Sequence, residues 1–179
     1  MAAAGVKNCC WAGAAVLAAG FLGLLAFQGE RPEPGLGRFE PAGLLVDWRI
    51  DDIAALDLSA GTDRRSFRRV TSGWRREGVD VSADVEQRIT TGLKLLHNSA
   101  PERIFAANEV SERTLVDFGL EPPRLTLAAR TAEGRSVTIR FGAANPLGLA
   151  RYTRIDGRLE VVLLPAFVAE AWEQVMEAR

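Results

Sequence analysis

The densest chemical feature of the chain is a run of arginine pairs, Arg64-Arg65, Arg68-Arg69 and Arg75-Arg76, six guanidiniums within thirteen residues. A guanidinium is planar and permanently charged, and it makes paired, charge-assisted bonds to phosphate or carboxylate. The run is therefore a candidate contact for an anion or an acidic partner surface, with the side chains held close together across a hairpin. The same residues also suit a solvated strand edge, where cations discourage strand-to-strand aggregation. Arginine outnumbers lysine twenty to two along the whole chain, Lys7 and Lys94 being the two lysines, and this bias dilutes any special meaning of the cluster.

The other reactive side chains do not assemble into a set. Asp47, Asp51 and Asp52 could offer paired carboxylates or a calcium site. Adjacent strand residues point to opposite faces, however, so a capping or turn role is expected for them. His97 stands alone, without the cysteines or second histidine that zinc requires. Cys9 and Cys10 are neighbours in sequence and build neither a disulfide framework nor a thiolate cluster in the remainder. The loop Gly142 to Gly148 lacks the lysine and Ser/Thr of a phosphate-binding loop, and no G-x-S-x-G occurs. Trp48, Trp74, Tyr152 and Trp172 could form a platform for sugar or peptide, although scattered aromatics usually belong to a core. No catalytic residue, cofactor or metal is expected from this inventory, and the expected role is non-enzymatic.

The elements that position these residues follow from hydrophobic periodicity. Ile53 to Leu58 reads as a strand with Ala54, Leu56 and Leu58 on one face, followed across a polar turn by Ser66 to Val70 and a short stretch from Trp74. Val85, Ile89, Leu93 and Leu96 recur at helical spacing over Ala83 to Asn98, with Ser82 as N-cap and Asp84 and Glu86 in the first turn. Arg103 to Ala106 reads as extended, and Ser111 caps a short helix that Gly119 stops. Leu125, Leu127 and Ala129 alternate with polar partners before a turn at Ala132-Glu133-Gly134 and a strand presenting Val137, Ile139 and Phe141. A second hairpin joins Tyr152–Ile155 to Leu159–Leu164 through a two-residue turn at Asp156-Gly157. Pro165 then starts a helix whose stripe is Leu164, Val168, Trp172 and Val175. The expected fold is α+β, an antiparallel hairpin-built sheet with helices packed on one face.

Ahead of this domain, Cys9 to Phe27 is a nineteen-residue run without a charge. As a helix it would be about 28 Å long, close to the hydrocarbon thickness of a bilayer. An uncleaved anchor, a cleaved secretory signal and a buried helix are the three readings. The run is longer than a usual signal-peptide core and no A-x-A pattern closes it, which favours the anchor. Lys7 precedes it, consistent with the N-terminus inside. The organisation read from the sequence is an anchor over residues 1–28, a Pro/Gly-rich tether over 29–46 and an extracytoplasmic domain over 47–179. Of the 179 residues 47% are hydrophobic, enough for a folded core, and the formal net charge of -1 offers no global field for nucleic acid.

Several separated phrases resemble the bacterial domain-of-unknown-function family 4340. They are Ser66-Phe67 to Gly73-Trp74, Ser99-Ala100-Pro101-Glu102-Arg103 and Asp117-Phe118-Gly119-Leu120-Glu121-Pro122-Pro123. The series continues with Phe141-Gly142-Ala143-Ala144-Asn145-Pro146-Leu147-Gly148, Tyr152-Thr153-Arg154 and Val161-Val162-Leu163-Leu164. The resemblance implies a bacterial envelope protein with an N-terminal membrane segment, similar to those encoded near ABC-type transporter and gliding-motility components, and it assigns no enzymatic residues. The expected function is thus a membrane-anchored, extracytoplasmic, non-enzymatic accessory or scaffold subunit. It would sit in the cytoplasmic membrane, its domain in the periplasm or extracytoplasmic space, with an envelope protein as partner, an ABC-type transporter component among the candidates. The alternative is a periplasmic binding module for an anionic ligand or cell-wall polymer.

Overall fold

The structure, a computed structural model, describes residues 19–22 and 42–178. Residues 19–22 are helical, and the rest of the apolar run, with the tether up to residue 41, lies outside the described residues. Among the described residues no helix is long and apolar enough to cross a membrane.

Residues 41–179 form one unit built on a single sheet. Its strands are β1 (Ile53–Ala60), β2 (Asp63–Val70), β3 (Gly73–Arg76), β4 (Val79–Asp80), β5 (Arg103–Phe105), β6 (Leu125–Thr131), β7 (Ser136–Ala144), β8 (Ala150–Ile155) and β9 (Val161–Pro165). The helices are α1 (Ala83–Asn98), α2 (Glu112–Asp117) and α3 (Ala166–Glu177), with short 3-10 turns at Ile50–Asp52 and Ala107–Glu109. The nine strands lie in the order β4-β3-β2-β1-β6-β7-β8-β9-β5, and every pairing is antiparallel. This is the α+β architecture that the alternating strands and amphipathic helices led us to expect.

The helices divide between the two faces of the sheet. Ile89 and Leu93 of α1 and Val168 and Trp172 of α3 pack with Leu56, Leu58, Phe67, Leu127, Ile139 and Phe141 in the main core. Leu115 of α2 packs instead with Leu120 and Val161, and with the half-buried Phe105, Phe118 and Tyr152. Val162 and Leu164 belong to the main core, and side chains alternate along β9, so Val161 and α2 lie on the opposite face. Helices therefore cover one face broadly and the β8-β9-β5 end of the other, where the sequence had led us to expect a single covered face.

Two β-bulges account for further departures. On β1, Ile53 pairs with Thr131 and Ala55 with Arg130, an extra residue that turns Ile53 into the core beside Leu56 and Leu58. Ala54, expected on the core face, is only half-buried as a result. On β7, Phe141 pairs with Thr153 and Ala144 with Arg151, so Gly142 and Ala143 belong to a bulged strand and not to the loop read from Gly142 to Gly148.

The turn after β8 also differs from expectation. Arg158 N–H bonds to the Ile155 carbonyl at 3.0 Å, with Gly157 at a φ of 84°, but pairing resumes only with Val161. Leu159, read as part of that strand, is 66% exposed. The start of the domain shifts in the other direction. Leu45, read as tether, is 1% exposed in the core, and its N–H bonds to the Leu96 carbonyl at 3.1 Å.

Candidate functional site

The two-residue period of a strand divides the arginine run that the sequence brings together. Phe67 and Trp74 point into the core, so Arg65, Arg69 and Arg76 share their side of the sheet, while Arg64, Arg68 and Arg75 face the other way. On the helical side, Arg65 donates to the Ala178 carbonyl. Arg69 donates to the Asp51 carbonyl at 2.9 Å, lies 3.7 Å from the Asp51 carboxylate and stacks 4.9 Å from the Trp74 ring centre. Arg76 lines a groove with Val79, Ser82 and Val85. The six arginines are thus not one anion site, and three of them tie strands to neighbouring structure or line a groove on the helical side.

The open face gathers a different set. Arg64 and Arg68 from β2 and Arg75 from β3 are joined there by Arg130 of β6, Arg140 of β7 and Arg154 of β8. Each points to the side of its strand opposite the core. Three carboxylates answer these six guanidiniums. Asp57, at the centre, reaches Arg68 and Arg130 at 3.2 Å each, one per carboxylate oxygen. Asp80 lies 2.5 Å from Arg75 and Asp156 lies 2.7 Å from Arg140. Arg154 donates to the Arg158 carbonyl at 3.0 Å. Arg64 and Arg154 take part in no ion pair among the described residues.

Partial burial pushes the Asp57 carboxyl up, but hydrogen bonds from Ser66 and Arg68 and the charges of Arg68 and Arg130 outweigh it. The group is held below its ordinary range and stays ionised. Two arginine pairs stand directly opposite each other on this face, Arg68 with Arg75 and Arg140 with Arg154. Like charges so placed repel, and the carboxylates that relieve Arg68, Arg75 and Arg140 leave three positive charges in excess among these nine residues.

Arg130, Arg140 and Arg154 were not singled out from the sequence as site residues. The signal available there is parity, since Arg130 and Arg140 alternate with apolar residues of β6 and β7, whereas the opposite phase of the strand of Arg154 is Arg151, Thr153 and Ile155. The strand order β2-β1-β6-β7-β8 needed to align them is not written locally.

The remaining candidates resolve as structural. Asp51 and Asp52 sit in the 3-10 turn ahead of β1, where Asp52 approaches Arg49 at 3.8 Å. His97 Nδ1 lies 3.0 Å from the Leu45 carbonyl. Among the described residues no three His, Cys, Asp or Glu side chains gather as metal ligands would. The aromatics do not share a surface. Trp74 and Trp172 are core, Arg135 stacks 4.9 Å from the Trp48 ring centre, and Tyr152 stacks on Phe118 at 3.8 Å.

The helices themselves carry more acid than base, although Arg65, Arg69, Arg76 and Arg151 of the strands face the same side and offset it. Over α1 and α3, Asp84, Glu86, Glu170, Glu173 and Glu177 stand against Arg88 and Lys94. Both sheet edges are short, two residues for β4 and three for β5, which leaves little backbone free for an added strand. Comparison with family models, curated proteins and solved structures finds no match for the chain.

Proposed function

We propose that the chain is a membrane-anchored, extracytoplasmic accessory subunit of a bacterial envelope assembly, acting by contact and not by catalysis. The observation that carries this reading is the concentration of positive charge on one side of the sheet: six arginines against three carboxylates on the open face, while on the helical side the five helix carboxylates are offset by Arg88 and Lys94 and by Arg65, Arg69, Arg76 and Arg151. Such a domain has a preferred orientation in any charged surrounding and offers two distinct surfaces to neighbours. The uncharged run Cys9–Phe27 and the resemblance to family 4340 support the membrane location and an envelope partner, with a component of an ABC-type transporter as the candidate.

The test is a crosslinked, detergent-solubilised pull-down of the full-length protein from its own membrane. A chain with residues 9–27 replaced by a cleavable signal is run beside it. Stoichiometric membrane proteins recovered with the first are the expected result. Recovery alone from both, with the domain folded, overturns the subunit reading. A second reading is favoured by Arg64 and Arg154, which lack carboxylate partners: a binding module for an anionic ligand or cell-wall polymer. It requires that binding be lost on Arg64→Ala and Arg154→Ala.

A further inference from the structure

We infer that the open sheet face is a docking surface for the anionic headgroups of the membrane that holds the chain, so that the domain lies sheet-down with its helical layer outward. This rests on the anchored reading above and names what the basic face contacts.

Charge is the first argument. Arg64 and Arg154 have no carboxylate among the described residues, and Asp57 is shared between Arg68 and Arg130. The face is therefore under-neutralised on both of its sides, at β2 and at β8. Guanidiniums bind phosphate through paired hydrogen bonds, and a layer of phosphates relieves the repulsion within the opposed pairs Arg68/Arg75 and Arg140/Arg154.

Relief is the second. Between the arginines the face carries Ala55, Ser59, Thr126 and Ala128, small residues without a large apolar anchor. A stable protein contact is centred on buried aromatic or aliphatic side chains, which this area lacks, whereas headgroups require only charge on the part of the face from β3 to β8 that lies outside the end covered by α2. The nearby rings of Phe105, Phe118 and Tyr152 are packed against one another beside α2 and belong to the fold.

Reach is the third. Gln28 to Ala42 can extend over at most about 50 Å, so the domain stays close to the surface that its N-terminal segment enters. Confinement at that distance raises the effective concentration of headgroups around the face, and several weak guanidinium contacts then act together.

The test uses residues 41–179, whose buried core, from Leu45 to Met176, is closed within that range. Sedimentation is measured with vesicles of phosphatidylcholine alone and with vesicles carrying phosphatidylglycerol. Binding to the anionic vesicles, weakened by salt, and none to the neutral ones is expected. Arg64→Glu with Arg154→Glu should weaken binding at least about tenfold, with the far-ultraviolet spectrum unchanged. Lys94→Glu on α1 makes the same change in net charge as Arg154→Glu alone, so the two single variants separate the face from the total charge. Arg154→Glu should weaken binding several-fold and Lys94→Glu should leave it within about twofold.

Absence of binding to anionic vesicles, or equal losses from Lys94→Glu and Arg154→Glu, overturns the inference. So does retention on cell-wall polymer in place of vesicles, or crosslinking of residues 64 and 154 to an acidic protein. The vesicle measurement needs no protein partner, so its failure and the failure of the pull-down are separate results.

Discussion

Gly92 of α1 lies so close beneath the indole of Trp172 of α3 that a Cβ at residue 92 would stand 2.8 Å from the ring. The two helices use this contact to bring Trp172, 0% exposed, down onto the sheet. Gly92→Ala gains helix propensity worth about 1 kcal/mol. Overpacking costs about 1 to 3 kcal/mol, and the buried ring has no room to retreat. The expected net loss is about 1 kcal/mol, read as a lower urea midpoint. In a Trp172→Leu background, where the indole is gone, the same substitution should cost less. An equal cost in both backgrounds would separate the two residues energetically.

A second glycine fixes α2. A Cβ on Gly142 would meet the Phe118 carbonyl at 2.3 Å, and the Ala143 N–H donates to that carbonyl at 2.8 Å. The β7 bulge and the C-terminal end of α2 therefore fit only with glycine at 142. Because the obstruction is backbone, Gly142→Ala should cost at least about 2 kcal/mol. It should also free the 107–119 segment before the sheet unfolds. Limited proteolysis reads this directly: early cleavage within 107–119 is expected, and cleavage spread evenly over the domain would show that α2 is not separately held.

The same bulge marks where reading the sequence stops working. The pattern of Leu125, Leu127 and Ala129 identifies their strand, and Ser82 identifies the start of α1, because a two-residue period or a cap is local. Ile53 enters the core out of phase with Leu56 only because β1 pairs with β6 and absorbs an extra residue. No local pattern encodes that. The arginines show the larger consequence. Arg64 and Arg65 are neighbours in the chain yet lie on opposite sides of the sheet, while Arg68 and Arg130 share one carboxylate across β1. The parity of Arg130 and Arg140 is legible, and the strand order that turns parity into a surface is not.

The first residues of the domain test its boundary. Gly43 N–H bonds to the His97 carbonyl at 3.0 Å and Leu45 N–H to the Leu96 carbonyl at 3.1 Å, so this segment satisfies carbonyls that the end of α1 leaves free. Leu45 adds a fully buried side chain. Leu45→Ala should cost about 2 to 5 kcal/mol. A chain begun at residue 47 should melt well below one begun at residue 41. Equal melting temperatures would return residues 43–45 to the tether, where their composition alone had placed them.

Asp57 makes stability and surface charge move in opposite directions. Its carboxyl is held below the ordinary range, so its contribution to stability is complete above the unfolded-state value, about 3.9, and disappears as pH falls through the lower folded-state value. Asp57→Asn should therefore cost about 1 kcal/mol near neutral pH, the side chain being partly exposed. Below about pH 4 the difference from the parent should shrink toward zero. Denaturation at a series of pH values reads this sign, and a gap that widened on acidification would contradict it. The same substitution releases Arg68 and Arg130 from their shared carboxylate and raises the excess on the open face by one charge. If that face meets anionic headgroups, the less stable variant should bind phosphatidylglycerol vesicles about two- to fivefold more tightly. A variant that lost stability and vesicle binding together would instead mean that Asp57 serves the face only by holding it folded.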